Sequence, residues 1–219
     1  MKLSLRSLLY DLVFGENCPI CQRKAFFKYS PFCQDCWNSI KGLSSSKITT
    51  GHFSKDFWKY VDSVTSFGAY EGVLREAIHC FKYQGIKRIG KELAKFLCSL
   101  PPIDVDLVIP VPLSREKLLK RGFNQSAILT RELARCWLKS YDLTILLKIR
   151  ETADQASLDA KERYDNVKDS FEAYQSIGGL KIALIDDVLT TGATLGECAK
   201  VLKKAGAKEV HGITLARTV

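Results

Sequence analysis

Residues 182–195 read Ile-Ala-Leu-Ile-Asp-Asp-Val-Leu-Thr-Thr-Gly-Ala-Thr-Leu. The four apolar residues 182–185 predict a strand buried on both faces, as in a parallel sheet. Asp186 and Asp187 follow where that strand is expected to end. Thr190 to Thr194 form a small-residue turn rich in hydroxyls. The apolar-periodic run after it, with Glu197, Lys200, Lys203 and Lys204 on its polar side, predicts a helix. Strand, paired acids, turn and helix together outline an anion site. Backbone N–H groups of the turn converge on one phosphate, the helix start adds the positive end of its dipole, and Gly192 permits close backbone approach. Two adjacent carboxylates cannot hold a phosphate. They suit the vicinal hydroxyls of a neighbouring sugar, or a Mg2+ ion. The stretch therefore implies a ligand such as a ribose 5-phosphate.

This stretch resembles the phosphoribosyl pyrophosphate (PRPP) motif of type I phosphoribosyltransferases. The resemblance implies that Asp186 and Asp187 hold the ribose hydroxyls and act as the catalytic pair. It implies that Thr190, Thr191, Gly192, Ala193 and Thr194 wrap the 5-phosphate. Purine-salvage members carry an acid at the position of Thr190, where it serves as base. Thr190 cannot, which argues against a purine acceptor.

The 219-residue chain is long enough for one ordinary domain and a small module, and its 46% hydrophobic content can bury a substantial core. The net charge is +9. Residues 1–60 carry nine Lys and Arg against four Asp and Glu, so about half of the excess lies in the first quarter. Such a balance favours phosphates, nucleic acid or an acidic membrane surface, without choosing among them. No run approaches the roughly 18 apolar residues of a membrane span, and residues 1–14 lack the pattern of an export signal. A cytoplasmic protein is expected.

Cys18, Cys21, Cys33 and Cys36 form two CxxC units separated by eleven residues. Two tight turns with two thiolates each close a tetrahedral Zn2+ site, and an all-thiolate site is structural. A redox CxxC would need a βαβ context that is missing here. The other four cysteines, Cys80, Cys98, Cys136 and Cys198, lie in apolar helical patterns and are expected as buried thiols. Arg23, Lys24 and Lys28 alternate with Phe26, Phe27 and Tyr29. Interleaved aromatic and basic residues either bind single-stranded nucleic acid or, for the aromatics, simply form the core of the small module. Residues 3–14 predict an amphipathic helix, packed on the body or lying on anionic lipid.

The organisation expected is an N-terminal helix and zinc ribbon over 1–45, a linker over 46–60, and an α/β domain over 61–219. Strands are predicted near 61–70, 105–112, 143–149 and 209–216. Helices are predicted over 71–83, 87–99 and, capped by Asn124, 125–138. Lys82 at the end of the first helix either reaches a phosphate at the sheet edge or is solvated. Residues 114–122, with Arg115, Lys117, Lys120 and Arg121, read as a basic loop suited to pyrophosphate, or as a solvated charge run. Residues 150–163 are polar enough for a mobile lid, from which Arg163 could close over an anion. Strands alternating with helices predict a mostly parallel sheet with helices on both faces, and ligands beyond the strands' carboxyl ends.

The CxxC pairs, Tyr70-Glu71-Gly72, Lys82-Tyr83-Gln84-Gly85, Pro110-Val111-Pro112, Arg121-Gly122-Phe123-Asn124-Gln125, Gln155-x-x-Leu158, Arg163-x-x-Asn166 and the PRPP motif occur in one order. That set resembles the ComF (ComFC) family of bacterial competence proteins over nearly the whole chain. The resemblance implies a role in natural transformation and contact with incoming single-stranded DNA at the inner membrane. It also implies DNA-uptake helicase or channel proteins as partners, and Mg2+ bound with PRPP.

Overall fold

The computed structural model describes residues 17–25, 30–43, 46–48, 53–84, 87–152, 160–175 and 177–218. The helix expected over 3–14, Lys28 with its neighbouring aromatics, and Gln155 and Leu158 lie outside the described residues. The strands are β1 (Ser46–Ile48), β2 (Ser63–Ala69), β3 (Leu107–Pro110), β4 (Ser140–Tyr141), β5 (Leu146–Lys148), β6 (Phe171–Ala173), β7 (Lys181–Leu189) and β8 (Glu209–Arg217). The helices are α1 (Gln34–Lys41), α2 (Lys55–Tyr60), α3 (Gly72–Tyr83), α4 (Lys87–Cys98), α5 (Arg115–Arg121), α6 (Gln125–Trp137), α7 (Ala160–Val167) and α8 (Ala193–Lys204).

The main sheet has the order β1-β2-β8-β7-β3-β4. All neighbours are parallel except β1, which runs antiparallel on β2. The apolar run of β7 sits second to none in burial: Ile182, Ala183, Leu184 and Ile185 are fully enclosed. Their side chains alternate between two cores. Ala183 and Ile185 join Leu74, Phe81, Leu93, Phe96 and Leu133, the apolar faces of α3, α4 and α6. Ile182 and Leu184 join Phe57, Val167, Leu195 and Leu202 of α2, α7 and α8. Helices thus cover both faces, as expected for an uninterrupted apolar strand.

Cys18, Phe32, Cys36 and Ile40 belong to the first of these cores, and Trp37 packs on Phe96 with ring centroids 4.6 Å apart. The cysteine module is therefore continuous with the body. Among the described residues no helix is long and apolar enough to cross a membrane.

Several expectations change. The strand expected to stop at Ile185 runs on to Leu189, because β8 stays paired beside it through Asp186↔Thr214, Val188↔Ala216 and Leu189↔Arg217. Residues 114–122 form a helix, α5, and not a loop. Ser114 caps it by accepting from Lys117 N, and Gly122 ends it at φ +75° with its N–H on Leu118 O. The strand expected over 143–149 shortens to β5, which pairs antiparallel with β6 outside the main sheet. Asp142 accepts from Thr144 N and Ile145 N and turns the chain there. Residues 46–60, expected as a linker, supply β1 and α2, and Phe57 of α2 is buried. Cys98 and Cys136, expected as buried thiols, are joined across α4 and α6 as a disulfide with Cα atoms 5.8 Å apart. Cys80 and Cys198 are buried free thiols.

Candidate functional site

On its β3 side, β7 pairs only as far as Ile185, opposite Pro110, and Val111 N still donates to Ile185 O at 2.8 Å. Beyond this point β3 leaves the sheet. Asp186 and Asp187 stand at that step, at the carboxyl end of the parallel strands, where open α/β sheets bind ligands.

Both acids are held by other elements. Lys82, the penultimate residue of α3, places Nζ 2.8 Å from Asp187 Oδ1, with side chains only 18% and 10% exposed. Burial pulls the Lys82 pKa down, but Asp187 and then Asp186 outweigh it and leave it raised. Asp186 Oδ1 accepts from Ser126 Oγ at 3.0 Å and from Asp187 N at 2.9 Å. Burial, and next the charge of Asp187, push the Asp186 carboxyl up to about 7, against the pull of Lys82.

The turn after the acids is fixed from below. Gly192 caps α8 at φ +79°. A Cβ there would come within 2.9 Å of Phe57 and 3.0 Å of Phe53, so only glycine fits. Gly196 N closes the first turn of α8 on Gly192 O at 2.7 Å. Ala193 N reaches Thr191 Oγ1 at 3.4 Å, and Tyr164 of α7 donates its hydroxyl to Thr191 O at 2.7 Å. Thr190, Thr191 and Thr194 are half-buried, and Gly192 and Ala193 are buried. With no side-chain cap, the start of α8 offers an anion its positive dipole end.

The other residues anticipated for the ligand lie on α5 and α7. Arg115 is exposed in the first turn of α5. Arg121, at the end of α5, donates to Gln125 Oε1 at 3.2 Å and lies over the Tyr83 ring at 5.2 Å. Arg163 is half-buried on α7, the helix that Tyr164 ties to the turn. Lys82 faces Asp187. Ser126 and Tyr164 went unnoticed in the sequence. Ser126 lies two residues after the Asn124 cap, and that nearness to a helix start was its one visible signal.

The cysteine cluster is a second centre. Sγ atoms of Cys18, Cys21, Cys33 and Cys36 all lie within 4.8 Å of one another, with Cys21 and Cys33 at 3.5 Å. Gln22, at φ +61°, turns the first CxxC so that its N–H meets Cys18 O at 2.8 Å. The second CxxC starts α1, with Cys33 at the N-cap. A tetrahedral metal with bonds of about 2.3 Å to sulfur needs sulfurs about 3.8 Å apart, so the cluster fits zinc with little adjustment. The Arg23 backbone draws the Cys21 thiol down to about 6, while burial pushes Cys33 and Cys36 up. To act together as four thiolates, these groups would require a bound cation. Of the basic residues beside it, Arg23 pairs with Asp35 at 2.8 Å and Lys24 bridges to Asn17 through its backbone.

No family model matches the chain. Competence protein F of Haemophilus influenzae is 32% identical over 93% of this chain and 98% of its own. DNA utilization protein YhgH of Escherichia coli K12 is 32% identical over 68% of this chain and 70% of its own. Competence protein ComFC of Streptococcus pneumoniae is 28% identical over 95% and 84%. Among solved structures, the glutamine PRPP amidotransferase of B. subtilis is 23% identical over 57% of this chain and 25% of its own, with a TM-score of 0.40, a loose likeness of outline. Identity at this level across nearly the full length of both chains makes this protein a member of the competence protein F (ComFC) family.

Proposed function

We propose that the protein binds PRPP at the carboxyl end of β7 and serves in the handling of incoming single-stranded DNA during natural transformation. The observation that carries the first part is the acid pair. Asp186 and Asp187 stand where β3 leaves the sheet, held by Ser126 and Lys82, immediately before a hydroxyl-rich turn that closes on Gly192. The carboxylates accept the ribose hydroxyls, and Thr190 to Thr194 with the start of α8 take the 5-phosphate. Arg115 and Arg121 on α5 and Arg163 on α7 are the cations assigned to the pyrophosphate. Mg2+ bound together with PRPP would supply charge neutralisation at its phosphates. Lys82 already offsets Asp187, which favours phosphate oxygens over these acids as its donors.

With PRPP bound, the reaction in reach is phosphoribosyl transfer. The bond from the anomeric carbon to pyrophosphate breaks, pyrophosphate leaves with the electron pair, and an acceptor attacks that carbon and releases its proton to solvent. Fixed donors around the leaving group supply most of such catalysis. A second reading, a PRPP-sensing protein without transfer, is favoured by Thr190. It offers a hydroxyl where a proton-accepting acid would otherwise stand.

The names of the relatives and the net charge of +9 support the DNA role. The cysteine cluster holds Zn2+ in a structural capacity, supported by four sulfurs within 4.8 Å. Titration of PRPP with and without Mg2+, followed by pyrophosphate release in the presence of DNA, tests the reading. Binding that disappears in Asp186→Asn/Asp187→Asn supports it. A wild-type protein that binds no PRPP overturns it, and binding without pyrophosphate release leaves the sensor. DNA binding should weaken steeply with salt, as neutralised phosphates release counterions.

A further inference from the structure

Beyond Arg121, the Arg-Gly-Phe-Asn-Gln element and the serine after it have no part in the anion site as such. In the fold they buttress both acids. Gly122 ends α5. Phe123 is buried against Phe81, the residue before Lys82, with ring centroids 5.6 Å apart. Asn124 donates to Val111 O at 3.0 Å and accepts from Ser126 N at 2.9 Å. Val111 is itself bonded to Ile185 O. The start of α6 is thereby locked to the end of β7, and Ser126, 4% exposed, has its hydroxyl 3.0 Å from Asp186 Oδ1. Asp187 N bonds the same oxygen, so both fixed hydrogen bonds of Asp186 fall on Oδ1. Oδ2 is left for a ligand.

We propose that Ser126 is a positioning residue that makes the site select ribose over 2-deoxyribose 5-phosphates. It does so by occupying one oxygen of Asp186 and presenting the other to the sugar diol. This rests on the sugar-phosphate reading above and deepens it. A carboxylate fixed through one oxygen accepts a hydroxyl without first giving up rotational freedom. 2-Deoxyribose brings the acid pair one hydroxyl fewer, so a half-buried acceptor held in place is left short of a donor, at a cost. Without Ser126, Asp186 turns its second oxygen back to local donors and the penalty shrinks. The consequence suits a protein that works near DNA. The sugar phosphates of DNA are 2-deoxyribose, and this selection keeps the site for PRPP.

The test is calorimetric titration of the full-length, zinc-loaded protein with ribose 5-phosphate and with 2-deoxyribose 5-phosphate. The wild type should prefer ribose by about tenfold or more, the scale of one hydrogen bond to a charged group. Ser126→Ala should narrow the preference to about threefold or less, and Ser126→Thr, which keeps the hydroxyl, should restore it. The ratio is independent of the folded fraction, since both sugars meet the same folded population, so a loss of stability cannot mimic the result. A Ser126→Ala protein with the wild-type preference overturns the role of Ser126 while leaving the sugar-phosphate site standing. A wild type that binds neither sugar, or both equally, overturns the reading beneath it as well.

Discussion

The cysteine cluster and the acid pair solve one problem, like groups brought close in a buried place, in opposite ways. Among the described residues the cation beside the four cysteines is Arg23, exposed and shared with Asp35, and three of the cysteines are under 7% exposed. A bound metal would relieve their repulsion. The two aspartates carry a counterion from elsewhere in the chain, Lys82, about a hundred residues away in sequence. A site that must open and refill cannot depend on its ligand for folding, so it neutralises itself. A site that never opens can let the metal be part of the fold. The difference predicts that removing a cysteine ligand damages the whole molecule, whereas removing Lys82 damages one face of it in a pH-dependent way.

The largest effect should come from Cys36→Ser. Cys36 shares a core with Phe32, Ile40, Leu74 and Phe96, so loss of the metal loosens the packing of α3 and α4 as well as the module. A fall in Tm on the order of 10 °C is expected, with loss of zinc by elemental analysis. A chelator should reproduce it in the wild type. An unchanged Tm in the metal-free protein would show the cluster to be ornamental and erase the contrast.

Lys82→Met comes next. Breaking a buried pair by removing one partner typically costs about 3 kcal/mol or more, because a charge is left without compensation. The cost should be larger at pH 8 than at pH 6, since without the ammonium Asp186 takes up its proton more readily and is neutral at the lower pH. Denaturant unfolding at the two pH values measures this. Equal losses at both would mean that Lys82 acts through packing alone.

The parts of this architecture that were plain in the chain are those set by neighbours in sequence. The CxxC units needed only tight turns. The run 182–185 needed only enough apolar residues for two cores, and Asn124 capped α6 by bonding two residues ahead. What escaped reading was set from a distance. Charged residues at 186 and 187 argued for the end of a strand, but β8 continues beside them and Lys82 neutralises one of them. The charge of residues 115–121 hid a capped helix, because solvated Lys and Arg form helices as well as loops. Residues 146–148 have the composition of a core strand, and only the turn at Asp142 shows that they leave the main sheet. The link between Ser126 and Asp186 spans sixty residues, and the Cys98–Cys136 bridge depends on how α4 meets α6. Neither leaves a local pattern.

The finest test of the comparison is the pH dependence of Asp186. Burial, followed by the neighbouring Asp187, holds this carboxyl near 7 in the native protein against 3.8 for an ordinary aspartate. Between those values the native state keeps a proton that the unfolded chain has released. The native state binds more protons, so stability falls as pH rises through the window. With the carboxyl coupled to Asp187 and Lys82, the loss should be on the order of 1–2 kcal/mol between pH 5 and pH 7.5. Asp186→Asn should remove that slope. Binding of ribose 5-phosphate should move the opposite way and strengthen as pH rises towards 8, because the ionised carboxylate is the better acceptor for a hydroxyl. The two trends have one cause: the deprotonated acid is a burden on the empty site and an asset to the filled one. If stability and affinity both rise with pH, the proton is not on Asp186, and the acid pair would be a settled ion pair like any other in the fold.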